Sequence, residues 1–92
     1  MIRVRVKYLS ELFQSITKCS EEELLLEEPV TLRELLLKIT QLHRELHNWL
    51  INEKGEIREN ILILVNNELA PNSEKTLQDN DVVLLTIPFN GG

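Results

Sequence analysis

The stretch TLRELLLKITQLHRELHNWL, Thr31 to Leu50, decides the fold. Leu32, Leu35, Leu36, Ile39, Leu42, Leu46, Trp49 and Leu50 recur at steps of three and four, which places them on one face of a long helix. Thr31 and Glu34 have the spacing of a capping box, in which the Thr hydroxyl and the Glu carboxylate each satisfy an N–H group left unpaired at the helix start. Pro29 keeps the helix apart from what precedes it. A helix that is apolar along one side must pack on something flat, and Trp49 near its end reads as a core anchor.

Working outward toward the N-terminus, Ile2, Val4, Val6 and Tyr8 alternate with Arg3, Arg5 and Lys7, the period-two pattern of a strand with one wet face. A short amphipathic piece, Glu11-Leu12-Phe13-Gln14-Ser15-Ile16, follows. The acidic segment Glu21 to Glu28, with Leu24 and Leu26 alternating inside it, reads as a second strand hairpinned onto the first through a long connection. On the C-terminal side Gly55 and its polar neighbours end the helical pattern. Ile61-Leu62-Ile63-Leu64-Val65 then reads as a strand that is apolar on both faces, and Asn66-Asn67 as a turn, since Asn tolerates positive φ. A short return, Glu68-Leu69-Ala70, ends at Pro71. Gln78-Asp79-Asn80-Asp81 supplies turn chemistry ahead of the last strand, Val82 to Ile87.

The order β-β-α-β-β-β has no internal repeat. Strand pairs on either side of one amphipathic helix, in so short a chain, predict an α+β fold with the helix laid across one face of a mixed sheet. The β-grasp arrangement fits this order. It places the first and last strands side by side and parallel at the centre, which accounts for the apolar character of the last strand.

Ninety-two residues allow one domain, with residues 1–87 as the folded body. A chain of this length buries roughly 60–65% of the surface its unfolded form exposes, which leaves little room for a deep active-site cavity and argues against a self-contained enzyme. Lys and Arg number 10 against 15 Asp and Glu, a formal charge of -5 that repels a phosphate backbone, so no direct nucleic-acid partner is expected. Cys19 is the only cysteine and cannot form an internal disulfide; together with the lack of a targeting segment this points to the cytoplasm. No apolar run approaches the roughly 18 residues of a membrane span.

Three glycines occur in the chain, and two of them are Gly91 and Gly92. The tail Pro88-Phe89-Asn90-Gly91-Gly92 follows the last strand directly and has too little apolar content to fold back, so residues 88–92 are expected to project as a flexible arm. Without a Cβ, such an arm can enter a narrow channel and present its carboxylate to a partner's active site.

This order of strands, the terminal Gly91-Gly92, and Leu77-Gln78-Asp79-Asn80-Asp81-Val82-Val83 leading into the last strand resemble the ubiquitin-like sulfur carriers. That group includes the ubiquitin-related modifier, the small subunit of molybdopterin synthase and the thiamine-pathway sulfur carrier. The resemblance covers essentially the whole chain. Glu11-Leu12-Phe13, Ile57-Arg58 and Ile61 to Asn66 look most similar to the ubiquitin-related modifier. The molybdopterin synthase subunit usually carries a proline pair and a small residue before its Gly-Gly, where this chain has Ile87-Pro88-Phe89-Asn90.

The resemblance implies that the protein is not itself an enzyme. A carboxylate is a poor acyl donor because its leaving group would be oxide, so an E1-like partner adenylates Gly92 with ATP. A sulfurtransferase then supplies sulfur to give a thiocarboxylate. That species donates sulfur, as in tRNA thiolation or molybdopterin assembly, or the activated carbonyl is attacked by a lysine amine on a target protein to leave an isopeptide. Gly92 is the reacting residue; Gly91, Asn90 and Phe89 form the arm. No cofactor is bound by the chain itself. Of another class is a non-covalent β-grasp interaction module with an inert tail.

Strand parity locates a recognition surface. If Val83, Leu85 and Ile87 face the helix together with Ile61, Ile63 and Val65, then Leu62, Leu64, Val82 and Leu84 share the opposite face, rimmed by Arg3, Arg5 and Lys7. An apolar patch there suits a protein partner.

Other candidates fail on chemistry. His43 and His47 have the i, i+4 spacing of a zinc-protease helix, but Arg44 stands where the general base must follow the first His and no third ligand is apparent, so no metal site is expected. Asp79 and Asp81 are too few for a calcium loop. Glu21, Glu22 and Glu23 beside Cys19 disfavour a thiolate.

Overall fold

The computed structural model describes residues 1–70 and 72–87. Five strands form one mixed sheet in the order β2-β1-β5-β3-β4, with β1 at Ile2–Tyr8, β2 at Glu21–Leu26, β3 at Leu62–Val65, β4 at Glu68–Leu69 and β5 at Val82–Thr86. β1 pairs antiparallel with β2 and parallel with β5, while β3 pairs antiparallel with both β5 and β4. The first and last strands are therefore central neighbours, as the β-grasp reading expects.

Three short helices complete the fold: α1 at Glu11–Thr17, α2 at Leu32–Leu42 and α3 at His47–Leu50. Helix α1 lies in the connection between β1 and β2 and starts at Ser10, whose hydroxyl accepts from the Leu12 and Phe13 amides. Helix α2 starts with both halves of the capping box formed: the Glu34 amide donates to the Thr31 hydroxyl and the Thr31 amide donates to the Glu34 carboxylate. Its Leu32, Leu35, Leu36 and Ile39 are buried in one cluster with Ile2, Val4, Val6, Tyr8, Val83 and Leu85 of the sheet. At about 25 cal/mol per Å² of apolar area removed from water, burying these side chains between helix and sheet stabilises the fold.

The single long helix expected to Leu50 is broken. His43 leaves helical geometry at φ -129°, ψ 82°, and a turn of 3-10 helix over Arg44–Leu46 precedes α3. The break changes which side chains reach the core. Leu46 and Leu50 are fully buried, whereas Leu42 is 50% and Trp49 40% exposed, so Trp49 is no core anchor.

The acidic turn before β5 proves to be a splice between three strands. The Arg3 amide donates to Asp79 Oδ1 at 2.8 Å, the Gln78 amide to Asp81 Oδ2 at 2.8 Å, and Asn66 Nδ2 to Asp81 Oδ1 at 2.8 Å. Asn66 Oδ1 in turn accepts from the Val82 amide at 2.9 Å. Asn66, Asn67 and Asn80 all take positive φ, the conformation for which Asn is among the better-suited residues after Gly. Asp79 and Asp81 thus fix where β5 begins, a structural role consistent with reading them as turn residues.

Candidate functional site

Side chains alternate across a sheet, and the register fixes which of them share the face turned away from α2. Opposite pairs on that face are Arg3 and Leu25, Arg5 and Glu23, and Lys7 and Glu21 between β1 and β2. Between β1 and β5 they are Arg5 with Val82 and Lys7 with Leu84, and between β5 and β3, Leu84 with Leu64 and Thr86 with Leu62. Leu64 is in turn paired with Leu69 on β4. One continuous row therefore runs Glu21, Lys7, Leu84, Leu64, Leu69 across all five strands.

The structure brings Leu62, Leu64, Val82 and Leu84 together on this outer face, each half-buried, while Val83, Leu85, Ile61 and Val65 are buried on the inner one. Ile63 and Ile87 are partly buried against the core. The outer row ends at Leu69, which is 67% exposed, and nothing among the described residues covers it.

Charge occupies the other half of the same face. Arg5 Nη1 lies 2.7 Å from Glu21 and its Nη2 3.4 Å from Glu23; Arg3 Nε lies 3.6 Å from Glu23. These pairs are exposed, so each contributes little to stability. Their effect is to neutralise Arg3 and Arg5 within the β1–β2 half of the face, beside an apolar half.

β5 carries the chain toward its C-terminus along the middle of this sheet, and Ile87 is the last described residue. Phe89, Asn90, Gly91 and Gly92 lie outside the described residues.

On the inner side, sequence reasoning missed a polar cluster. Tyr8 Oη donates to Glu22 Oε2, and His43 Nε2 lies 2.7 Å from the same oxygen, with the Tyr8 and His43 rings edge to face at 6.2 Å between centroids. The cluster ties the C-terminal end of α2 to β2 and β1. Burial, then the hydrogen bond to Glu22, then the Glu22 charge push the Tyr8 phenol far above the ordinary phenol range. Its members are separated by 14 and 21 residues and follow no local pattern that a sequence could advertise. Among the described residues no three His, Cys, Asp or Glu side chains are grouped to hold a metal ion. No helix among them is long and apolar enough to cross a membrane.

The model of the ThiS family matches residues 6–92. The chain belongs to the ThiS family. This places it among the ubiquitin-like sulfur carriers, small proteins that are carriers and not catalysts. No match was found among curated proteins. Solved structures extend the likeness in fold. SAMP1 from Haloferax volcanii superposes with a TM-score of 0.87 at 20% identity, over 98% of this chain and 99% of that one. Urm1 from Trypanosoma brucei gives 0.69 at 21% identity, over 98% and 95%. Subunit 1 or 2 of the molybdopterin-converting factor from Helicobacter pylori, solved as a complex of the two, gives 0.63 at 26% identity, over 99% and 100%. The ThiS-family chain thus shares its fold, over 97–99% of its length, with proteins some of which are solved bound to protein partners.

Proposed function

We propose that the protein is a ubiquitin-like modifier and sulfur carrier whose Gly92 carboxylate is activated by an E1-like adenylating enzyme. The carrying observation is that β5, which leads directly to the Gly91-Gly92 arm, runs through the centre of a sheet whose outer face presents Leu62, Leu64, Val82 and Leu84 to solvent. A partner that covers this face receives the chain end beside its own active site. Residues 1–87 are then the recognition domain and residues 88–92 the reactive arm.

In this reading a Gly92 carboxylate oxygen attacks the α-phosphorus of ATP and pyrophosphate leaves. The resulting acyl-adenylate has AMP as its leaving group in place of oxide. A persulfide on a sulfurtransferase attacks that carbonyl through its outer sulfur and displaces AMP. A second thiol then cleaves the acyl disulfide, releasing the thiocarboxylate and leaving a disulfide on the transferase. The thiocarboxylate donates its sulfur to tRNA or another acceptor and reverts to a carboxylate, while attack on the activated carbonyl by a target lysine amine displaces AMP and gives an isopeptide. The carrier provides the carboxylate and the docking face, and its partner provides the catalysis. ATP is a substrate of the partner.

A second reading, the small subunit of molybdopterin synthase, is favoured by the likeness at 26% identity to a molybdopterin-converting factor solved as a two-subunit complex. Stable co-purification with a larger subunit would select it. A non-covalent module with an inert tail predicts that deleting Gly91-Gly92 alters neither partners nor phenotype. The test is the chain-dependent exchange of pyrophosphate into ATP by the E1-like enzyme of the same cells. Full-length chain stimulates exchange and a chain lacking Gly91-Gly92 does not; stimulation by both, or by neither, removes the proposal.

A further inference from the structure

Three basic side chains line β1 on the outer face, and they are not equivalent. Arg3 and Arg5 are exposed and already held by Glu21 and Glu23. Lys7 alone of the three is half-buried. It stands in register between Glu21 and Leu84, yet Glu21 is engaged by Arg5 at 2.7 Å, and Lys7 forms no ion pair among the described residues. Its position puts a cation at the inner end of the apolar row Leu84, Leu64, Leu69. A lysine in such a place lays its methylene stem along apolar neighbours and keeps the ammonium in water.

That arrangement is harmless while the face is wet. Any partner that covers the apolar row also strips water from the Lys7 ammonium, and an ammonium desolvated without a counter-charge costs more than the apolar contact around it gains. Glu21 is already shared with Arg5 through its Oε1, so a counter-charge from it would be divided between two cations.

We propose that Lys7 is the ionic determinant of the docking face, and that the partner which covers Leu84, Leu64 and Leu69 carries an Asp or Glu side chain aimed at the Lys7 ammonium. The inference rests on the reading of this face as the docking site of the adenylating enzyme. It adds the chemistry of the complementary surface: apolar, with one carboxylate at its margin. Because the chain as a whole carries a net charge of -5, a partner attracted at long range is basic overall, and a lone acidic spot within that basic surface fixes the register in which the two proteins meet.

The experiment measures the dissociation constant of the full chain for the E1-like enzyme purified from the same cells, and the KM of the chain in ATP–pyrophosphate exchange, for wild type, Lys7→Met, Lys7→Glu, Lys7→Arg and Leu84→Glu. Thermal melts of each variant check folding, and Lys7→Met keeps most of the stem should Lys7→Glu misfold. The proposal expects Lys7→Met and Lys7→Glu to raise KM by about tenfold or more with kcat unchanged, and Lys7→Arg to restore it to within a few-fold. If Lys7→Met matches wild type while Leu84→Glu is impaired, the docking face stands and the carboxylate is overturned. If Leu84→Glu also matches wild type, the docking face falls and takes the proposal with it. A wild-type chain that neither binds nor stimulates exchange removes the adenylating partner itself.

Discussion

Val6 and Val83 lie side by side in the parallel pairing of β1 and β5, and both are fully buried. They join the start of the chain to the strand that carries its end. The same seam is closed by backbone bonds from the Arg5 amide to Asp81 and from the Leu9 amide to Leu85, each at 3.0 Å. The reactive arm proposed for this protein is therefore rooted in the strand on which the whole sheet is assembled.

Leu85 is fully buried on that strand, whereas Leu69 at the end of the outer row is exposed. Leu85→Ala should cost about 2–5 kcal/mol by lost transfer energy and an unfilled cavity. Leu69→Asp should stay within about 0.5 kcal/mol, as surface changes usually do. Denaturant unfolding of the two variants checks the contrast. Leu69→Asp should nonetheless weaken stimulation of ATP–pyrophosphate exchange, because it places a charge where the partner is proposed to be apolar.

Tyr8 gives a pH dependence with a defined sign. Its folded phenol is held far above the ordinary value of 10.0 by burial and by Glu22, so the folded state keeps a proton that the unfolded state releases. The stability it contributes is complete below about pH 10 and is lost progressively as pH rises above that value. Wild type should lose unfolding free energy above this point more steeply than Tyr8→Phe. Tyr8 is the only tyrosine in the chain, so phenolate absorbance should appear with unfolding and not before.

The capping box at α2 is testable in isolation. Thr31→Ala removes the acceptor of the Glu34 amide and should cost about 0.5–2 kcal/mol with no change in the slope of denaturant unfolding. A change in slope would mean that the compactness of one of the two states had altered instead.

Much of this fold was legible because strand alternation and cap spacing are local. Ile2 to Tyr8 declared both their strand and its buried face, and Thr31 with Glu34 marked the start of α2 to the residue. The end of α2 was not legible. Leu42, Leu46, Trp49 and Leu50 continue the three-and-four spacing past His43, but periodicity records only that a regular helix would align them. It carries no sign of the turn at His43, where a contact with Glu22 on β2 competes with one more helical turn. Trp49 falls outside the core for that reason, whereas Leu42 still belongs to α2 and is exposed as its last residue. The outer row could be placed because Ile61 to Val65 and Val82 to Ile87 are apolar on both faces, which makes parity the only question. The neutralisation of Arg3 and Arg5, which singles out Lys7, depends on registration with β2 and so needed the structure.

The central claim is that Gly92 is chemically activated, and the most direct test is the intact mass of the protein purified from its own cells, with a search for lysine adducts in tryptic digests. No Lys or Arg follows Lys75, so a conjugated lysine carries the long remnant Thr76 to Gly92 and not a bare Gly-Gly. The account predicts a mass shifted by replacement of one oxygen by sulfur at Gly92, the Thr76–Gly92 remnant on lysines of other proteins, or both. An unmodified mass and no remnant, under sulfur starvation and oxidative stress alike, in cells where deletion of Gly92 is silent, would contradict it.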